Sequence, residues 1–294
     1  MASGLLSLPP DRAAQLMASY GTAVTRRRLG LLGVVLAVVA LMTVAGHVGE
    51  VEPLYFIDHF SNFTSYFGRI LPRLSIATLP HDLADWYWNF GGWLKLLVDT
   101  LMIAYLGTLF GALGAFVLSF LAARNTTPNA ALRVAVKRLL EFCRTVPNIV
   151  FALLFVTAFG LGPLPGILAI GIHTLGALGK LFTEIVENID LNPVEGVRST
   201  GGNFVETMRF AVVPQVLSGF ASYTLLRFEV NVREGAVIGI VGAGGIGQDL
   251  FVAIRKFYYT DVSAILLMII VTVAIIDLLT EQIRHRLAYT EIRR

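Results

Sequence analysis

The sequence has little charge, a single cysteine and no cluster of catalytic residues. Charged side chains make up 15% of its 294 residues, against about 25% in a typical soluble domain. Its single cysteine, Cys143, excludes an internal disulfide and a metal site made of several cysteines. The five histidines lack metal-binding spacing, and no Walker A motif is present. We therefore expect no enzymatic activity, no metal site and no cofactor held by this chain itself.

Apolar residues are abundant instead, and they fall into six runs. Hydrophobic residues make up 55% of the chain, and the mean hydropathy is +0.71. Because a helix needs roughly 20 apolar residues to cross a bilayer, the runs predict an all-α polytopic membrane protein with six transmembrane helices. The runs are 29–46, 94–123, 146–161, 167–182, 212–232 and 262–279.

Two segments near the N-terminus allow more than one interpretation. Arg26 to Arg28 precede the first apolar run, as basic residues do in a signal peptide. The length of the run and its weak cleavage site favour a retained helix. Residues 47–92 are rich in tryptophan and tyrosine, which prefer the headgroup level of a membrane. Within them, Phe60 to Leu74 is either an interfacial helix or part of a plain linker.

The distribution of basic residues indicates the orientation in the membrane. With the N-terminus inside, the inner segments hold fifteen lysines and arginines and the outer segments hold five. Cytoplasmic loops carry an excess of basic residues, so we expect both termini in the cytoplasm. The polar stretch from Asn192 to Gln215, the longest in the apolar half of the chain, then also faces the cytoplasm.

The same polar stretch carries a spaced motif. Glu195 is followed by Gly201 six positions later and by Pro214 thirteen positions after that. This spacing resembles the cytoplasmic E-A-A loop of ABC importer permeases, although Gly196 and Val197 replace the two alanines. Longer segments resemble the membrane subunit of phosphonate ABC importers. They are Arg144–Ala152, Phe159–Pro163, His173–Gly176, Lys180–Glu184, Arg227–Arg233 and Val241–Gly247.

This resemblance implies a type I ABC importer permease fold. The implied complex contains a second copy of this chain (a homodimer), two ATP-binding subunits that hold ATP and Mg, and an extracytoplasmic phosphonate-binding protein. It would lie in the cytoplasmic (inner) membrane of a bacterium, in contact with lipid and not with nucleic acid. The expected domains are a cytoplasmic tail (1–28), a first transmembrane helix (29–46), an extracytoplasmic connection (47–92), a permease core (93–287) that includes a coupling loop (190–215) and an outer glycine-rich loop (235–250), and a second cytoplasmic tail (288–294).

Local signals predict the shape of the coupling loop. Asn192–Pro193 starts a short helix, because proline is tolerated in a first turn, and Gly201–Gly202 ends it. Asn203 and Glu206 match a capping box for a second helix. The resemblance implies that this pair of helices docks on the ATP-binding subunit; the alternative is an ordinary polar loop. The residues expected to couple are Glu195, Gly196, Val197, Gly201 and Pro214.

Polar residues on the fourth predicted span are candidates for the translocation path, because such residues are costly inside a membrane. His173, Lys180, Glu184 and Glu187 fall on one helix face. They either line the path of an anion or form a seam between helices, with Lys180 and Glu184 paired. His173 is the deepest of the four and the best candidate for the path.

The fifth predicted span carries two further spaced pairs. Glu229 and Arg233 are four residues apart, in the favourable order for a helical ion pair. Arg227 and Asn231, also four apart, lie on a different face. The paired donors of Arg227 suit a tetrahedral oxyanion; the alternative is a buried pair of Arg227 with a glutamate. All four residues join His173 as candidates for the path.

A glycine-rich segment separates the last two spans. It contains G-x-G-x-x-G, but a dinucleotide site requires a soluble βαβ unit, which the flanking spans exclude. We expect a re-entrant turn on the outer side that serves as an external gate, with a flexible outer loop as the alternative. The candidate gate residues are Gly242, Gly244, Gly245 and Gly247.

The sequence therefore predicts an ABC importer permease that passes phosphonate, or a closely related phosphorus oxyanion, inward by alternating access. One alternative is the same architecture with phosphite, a phosphate ester or an organic solute as the substrate. Another is an ion-coupled secondary transporter, although the internal repeats that are common in such proteins are not evident.

Overall fold

The computed structural model describes residues 10–72 and 74–292, and for 10–19, 53–54 and 287–292 it describes the backbone alone. The ends of both predicted tails, 1–9 and 293–294, lie outside the described residues. The chain divides into two compact units, Met1–Phe67 and Gly68–Arg294. Their described parts are helical and contain no strand, which confirms the all-α prediction.

The first unit is dominated by one long helix. Helix α1 runs from Pro10 to Val48, followed by α2 (Pro53–Asp58) and α3 (Phe60–Ile70), whose last turn belongs to the second unit. Its part Tyr20–Val48 is long and apolar enough to cross a membrane. The predicted cytoplasmic tail (1–28) therefore contains the first part of α1, which begins at Pro10. The stretch 11–48 contains no proline and is rich in good helix formers, so the helix extends well before the apolar run.

Four phenylalanines form an exposed stripe along α2 and α3. The rings of Phe56 and Phe60 lie 5.9 Å apart, those of Phe60 and Phe63 also 5.9 Å, and those of Phe63 and Phe67 4.9 Å. All four side chains are exposed. A helix with such a stripe on one face is typical of a segment that lies in the membrane interface. The geometry therefore favours the interfacial interpretation of this region over a plain linker.

The second unit contains the remaining helices. One of them, Val213–Ile238, lies between two short turns of another type, a π-helical turn at Met208–Val212 before it and a 3₁₀ turn at Gly239–Val241 after it. The helices are α4 (Leu79–Trp86), α5 (Phe90–Ala122), α6 (Ala130–Thr145), α7 (Asn148–Phe159), α8 (Pro163–Glu187), α9 (Asn192–Ser199), α10 (Phe204–Thr207), α11 (Val213–Ile238), α12 (Ile246–Arg255) and α13 (Tyr259–Ile292).

Length and composition give between four and six candidate membrane spans in the described residues. Four are single helices: the main part of α1, all of α5 and α8, and α13 up to Arg286. The other two are bent pairs, α6 with α7 at 85° and the α10–α11 segment with α12 at 49°. Helix α7 has 12 residues and is therefore only about 18 Å long. It is too short to cross the roughly 30 Å hydrocarbon layer alone.

Helices α5 and α8 form the centre of the second unit. A Cβ atom added at Gly111 of α5 would lie 2.6 Å from Thr174 and 2.7 Å from the carbonyl of Gly171, both on α8. Small residues at this spacing let two helix backbones approach closely. Gly107 and Gly111 form a G-x-x-x-G pattern in the sequence, which favours close packing of two helices without naming the partner, and the structure identifies the partner as α8.

An aromatic core connects the membrane helices to the polar segment after α8. The rings of Phe182 and Phe220 stack with their centroids 3.8 Å apart. They belong to a buried cluster that also contains Val194 of α9 and Met208 of the π-helical turn. Helix α9 is therefore packed against this core. Because close-packed protein interiors transmit strain, a displacement of α9 would also shift the residues of the core.

The end of the predicted extracytoplasmic connection is attached to the start of α13. The indole N–H of Trp86 donates to the carbonyl of Thr260 and to the hydroxyl of Ser263, both at 3.1 Å. The indole of Trp88 donates to Asp261 at 3.2 Å. These bonds fix the last part of the connection against the helix that closes the chain.

Candidate functional site

The predicted coupling loop begins with a short helix, α9, and hydrogen bonds join the two ends of the loop. Helix α9 begins at Asn192 with Pro193 in its first turn and ends at Ser199, as predicted. Gly201 then adopts a φ of 85°, a left-handed conformation that side chains with a Cβ rarely take. At the base, the backbone N–H of Asp190 donates to the side chain of Gln215 at 3.1 Å, and Gln215 donates back to the carbonyl of Asp190 at 3.2 Å.

The capping box predicted at Asn203 is present. Its side chain accepts from the backbone N–H of Glu206 at 2.9 Å, and Glu206 accepts from the backbone N–H of Asn203 at 2.8 Å. The helix that it starts passes into the π-helical turn directly before Val213 and Pro214. Proline has no backbone N–H, so it cannot continue the regular α-helical bonding pattern of the preceding turn. π-Helical turns are frequent at functional sites.

The coupling residues differ in exposure. Glu195, Gly196, Gly201 and Pro214 are exposed, and Val197 is half-buried beside the aromatic core. Two apolar side chains that the sequence did not single out join them at the surface, since Phe204 is 48% exposed and Val205 is 69% exposed. The segment thus exposes both acidic side chains, among them Glu195 and Glu206, and apolar side chains.

A first polar cluster, here called the Arg227 cluster, lies at the middle of α8 and α11. The guanidinium of Arg227 donates to Nδ1 of His173 at 2.7 Å and to a carboxylate oxygen of Glu234 at 3.2 Å. The same oxygen of Glu234 accepts from the side chain of Asn148 at 2.6 Å. Arginine only donates, so His173 accepts through Nδ1, and its ring proton is on Nε2 when the ring is neutral.

Arg227 has more donors than the cluster has acceptors. Its side chain is 15% exposed, and its Nε is buried without a hydrogen-bond partner among the described residues. A buried donor that loses its partner costs about 1–3 kcal/mol. A guanidinium can bind a group with several acceptor oxygens through two nitrogens at once, and this Nε is a donor that such a group can use.

Asn231 joins three helices at the centre of the unit. It is fully buried on α11 and donates to the hydroxyls of Thr108 on α5, at 2.8 Å, and Thr174 on α8, at 2.9 Å. Hydrogen bonds between membrane helices hold their faces in register. The contacts of Asn231 favour a role in fixing the helices around the path rather than a direct contact with a substrate.

A second polar cluster, here called the Glu229 cluster, connects α11 to α13. The carboxylate of Glu229, 6% exposed, accepts from Arg233 on its own helix and from Arg284 on α13, the latter at 3.5 Å. The Glu229–Arg233 pair predicted from the spacing is therefore present. Nε of Arg284 is also buried without a partner in the described part of the chain. Two guanidinium groups share one carboxylate here, so the cluster carries excess positive charge.

The polar face predicted on α8 divides into separate contacts. His173 joins the Arg227 cluster, whereas Lys180 and Glu184 pair with each other at 3.6 Å and are half-exposed. Glu187 pairs with Lys137 of α6 at 2.9 Å. The local pairing of Lys180 with Glu184 was one of the predicted alternatives. Lys180, Glu184 and Glu187, near the end of α8, therefore form ion pairs. Of the four residues on this face, only His173 belongs to the Arg227 cluster.

The glycine-rich segment is packed and not a flexible loop. Gly242, Gly244 and Gly245 all have positive φ, and residues 242–247 are buried. The backbone N–H of Ile246 donates to the hydroxyl of Thr100 on α5 at 2.9 Å. The carbonyl of Gly242 accepts from Gly162, in the turn between α7 and α8, at 3.1 Å. These contacts tie the turn to two neighbouring segments and favour a packed turn over the flexible alternative.

Several residues of the clusters were missed by sequence reasoning. Glu234 stands seven residues after Arg227, two helical turns along the same face, and this spacing was a usable signal. The fifth predicted span ended at Val232, but α11 continues to Ile238, so Glu234 was placed outside it. Asn148 and Arg284 come from distant parts of the sequence, and nothing local indicates their contacts. Among the described residues, no three His, Cys, Asp or Glu side chains group as metal ligands.

Comparison with known proteins gives one matching family and several relatives. The family model described as "binding-protein-dependent transport system inner membrane component" matches residues 115–289. The chain is 33% identical over 271 residues to the phosphite transport system permease protein PtxC of Stutzerimonas stutzeri, covering 92% of this chain and 93% of that one. It is 43% identical over 190 residues to the phosphate-import permease protein PhnE of Mycolicibacterium smegmatis, covering 65% of this chain and 36% of that one.

A third relative and a solved structure extend the comparison. A putative cryptic phosphonate transport system permease protein of Escherichia coli is 50% identical over 117 residues, covering 40% of this chain and 96% of that one. The crystal structure of a bacterial ABC transporter involved in the import of alginate superposes with a TM-score of 0.60, covering 91% of this chain and 99% of that chain. At 14% sequence identity this likeness shows a shared fold.

Proposed function

The chain belongs to the family of binding-protein-dependent transport system inner membrane components, and on this premise we propose that it imports phosphonate or a closely related phosphorus oxyanion. It is a transport subunit, not an enzyme. The proposed cycle is alternating access, driven by ATP that partner subunits hydrolyse. ATP and Mg would be held by those partners, and this chain itself would bind no cofactor.

One observation carries the choice of an anionic substrate. The Arg227 and Glu229 clusters together hold three guanidinium groups and two carboxylates, in the second half of α11 and on α13. Ionisable residues inside membrane helices are expensive and usually mark a pathway or its partners. Excess positive charge favours an anion there. The names of the relatives narrow the anion to phosphite, phosphate or phosphonate.

The candidate path consists of residues on α8 and α11, each with a proposed part. Arg227 and Arg233 would attract the anion, and His173 would hold Arg227 in position. Glu229 would balance the arginines, and Asn231 would keep the helices in register. Arg233, whose side chain is 52% exposed, is the most accessible of the charged groups. The buried glycine-rich turn with Gly242, Gly244, Gly245 and Gly247 would form the outer gate.

The coupling segment would contact the ATP-binding subunit. In this proposal Glu195 faces a basic group of that subunit, Gly196 and Val197 continue the docking face, and Gly201 sets the turn. Pro214, directly after the π-helical turn, passes the movement into α11. The exposed apolar side chains of Phe204 and Val205 enlarge the contact. The folded base between Asp190 and Gln215 supports this function over an ordinary loop.

The proposed assembly has six spans in each copy and both termini in the cytoplasm. Each bent helix pair would then count as one span, in line with the positive-inside distribution of charge. We propose a homodimer in the inner membrane of a bacterium, with two ATP-binding subunits and an extracytoplasmic phosphonate-binding protein. A pair of this chain with a related permease is the other arrangement, and co-purification of differently tagged copies distinguishes the two.

The test is ATPase activity of the reconstituted complex. The chain would be purified with its ATP-binding subunit in lipid nanodiscs, and the binding protein would be added with and without methylphosphonate, phosphite or phosphate. We expect stimulation by the binding protein loaded with methylphosphonate. Stimulation by phosphite or phosphate alone would keep the importer and replace the substrate. A chain that associates with no ATPase would contradict the proposal and favour a secondary transporter.

A further inference from the structure

The position of Glu234 between two donors suggests that it can change partners. One oxygen of its carboxylate accepts from both Arg227, at 3.2 Å, and Asn148, at 2.6 Å. The shorter bond goes to the neutral amide. The side chain of Glu234 is 32% exposed, about twice the 15% of Arg227. The carboxylate can therefore leave the guanidinium and keep a hydrogen-bond donor on α7.

The guanidinium of Arg227 is held on its other side. His173 accepts from the same nitrogen that serves Glu234, and its ring also contacts the backbone carbonyl of Arg144 at the end of α6. The histidine is fixed on both sides and positions the guanidinium. Nε of Arg227 remains buried without a partner among the described residues. When Glu234 leaves, a tetrahedral oxyanion can bind Nε and a terminal nitrogen together.

We propose that Arg227 and Glu234 form an exchangeable ion pair, in which a passing phosphorus oxyanion replaces Glu234 on Arg227 while Glu234 stays with Asn148. The inference rests on the proposed function. In the empty state the carboxylate neutralises the arginine inside the membrane. In the loaded state the substrate does so, and Glu234 returns when the substrate leaves, so the site never holds an unpaired guanidinium. Such a site favours anions over neutral solutes and does not trap them.

The exchange also reaches the bend between α6 and α7. Asn148 is the first residue of α7, directly after Pro147, and the two helices meet at 85°. Glu234 belongs to α11, so its bond to Asn148 joins this bend to α11 directly, in both states. In the empty state the same oxygen of Glu234 also accepts from Arg227. When the substrate takes Arg227, Asn148 is the donor that remains, so occupancy of the site changes the bonding at the start of α7.

The test compares single and double neutral variants in proteoliposomes. The complex, with its ATP-binding subunits and binding protein, would be supplied with labelled methylphosphonate, phosphite or phosphate, and uptake per ATP hydrolysed would be measured. We expect Arg227→Gln to lower this ratio at least tenfold while the binding protein still stimulates ATPase activity. Glu234→Gln leaves the arginine available but removes the carboxylate that displaces the anion, so methylphosphonate should be released more slowly and the ratio should fall, by less than in Arg227→Gln. The double variant should be no better than Arg227→Gln alone.

A purely structural ion pair gives a different pattern. Both single variants would then be equally defective, and the double variant would recover because no unpaired charge remains; this result would overturn the inference. Lys137→Gln with Glu187→Gln removes another partly buried pair, joining α6 and α8, and serves as the matched control that should keep uptake per ATP unchanged. A wild-type complex that moves none of the three oxyanions overturns the proposed function, and the exchange with it.

Discussion

Three glycines of the coupling segment allow backbone strain and steric clash to be separated in one short region. A Cβ at Gly201 would meet nothing within 4 Å, but its φ of 85° is left-handed. A Cβ at Gly202 would lie 2.7 Å from a methyl of Val197 and 2.8 Å from its carbonyl, without the left-handed φ. A Cβ at Gly196 would meet nothing within 4 Å, inside helix α9. Alanine at these positions therefore adds strain alone, clash alone, or neither.

The size of the strain follows from the conformation. A left-handed backbone costs an L-residue with a Cβ about 1–2 kcal/mol relative to glycine. Such a difference lowers the population of the native turn by a factor of roughly 5–30. Gly196→Ala should instead stabilise α9 by about 0.5–1 kcal/mol, because glycine is unfavourable inside a helix. Gly201→Asn should cost less than Gly201→Ala, because asparagine tolerates the left-handed region.

The assay is binding-protein-stimulated ATPase activity in nanodiscs, together with the amount of complex that assembles. We expect Gly201→Ala to reduce stimulation severalfold while the chain still reaches the membrane. Gly201→Asn should retain more of the activity, and Gly196→Ala should reach the membrane in the same amount as the wild type, because its Cβ meets nothing in this chain. Equal stimulation in Gly201→Ala and Gly201→Asn would refute the argument from φ. Normal transport by Gly201→Trp would refute a role for this turn altogether.

Three further predictions concern other parts of the second unit. Gly247→Ala should prevent stable folding, because a Cβ there would overlap the backbone of α11, whereas Gly91→Ala meets nothing and should keep the thermal midpoint. Asn231→Ala should lower the free energy of unfolding by about 1–3 kcal/mol, measured by denaturant titration, because two hydroxyls lose a buried partner. The backbone N–H of Ser75 and the hydroxyl of Thr78 donate to the carboxylate of Asp82 and lower its pKa. These bonds should stabilise the turn fully at a pH above the pKa of an unfolded aspartate, about 3.9. The stabilisation should be lost as the pH falls through the lower pKa of Asp82 in the folded chain. Amide exchange of residue 75 at pH 2 and pH 6 checks this, and a turn that loosens as the pH rises would contradict it.

The parts of the fold that were predictable are those set by neighbouring residues. The start of α9 at Asn192–Pro193, the capping box of Asn203 and Glu206, and the ion pair of Glu229 with Arg233 all depend on contacts within four residues. Contacts between residues this close in the chain can be predicted from the sequence alone. The apolar runs also predicted the long helices, because crossing a membrane requires only sufficient length and an apolar composition, and both can be read from the sequence.

The ends of the helices were less predictable, because hydropathy does not mark them. Helix α1 begins well before its apolar run, and α11 continues six residues past the predicted end at Val232. Charged residues interrupt the hydropathy of α11 but not its backbone hydrogen bonds, so the helix continues to Ile238. The partner of the Gly107–Gly111 face was also undetermined, because small residues favour close approach to any helix.

The site itself depends on which carboxylate can move, and the sequence does not distinguish the two candidates. Glu229 and Glu234 both stand near an arginine on the same helix. In the structure Glu229 is 6% exposed and accepts from two guanidinium groups, one of them on α13. Displacing it would leave two charges unpaired, which is costly in a membrane. Glu234 is more exposed and has a neutral donor, Asn148, to receive it. On this proposal an anion passing α11 displaces Glu234 and leaves Glu229 in place, and the bond of Glu234 to Asn148, at the start of α7, is a contact that the sequence does not indicate.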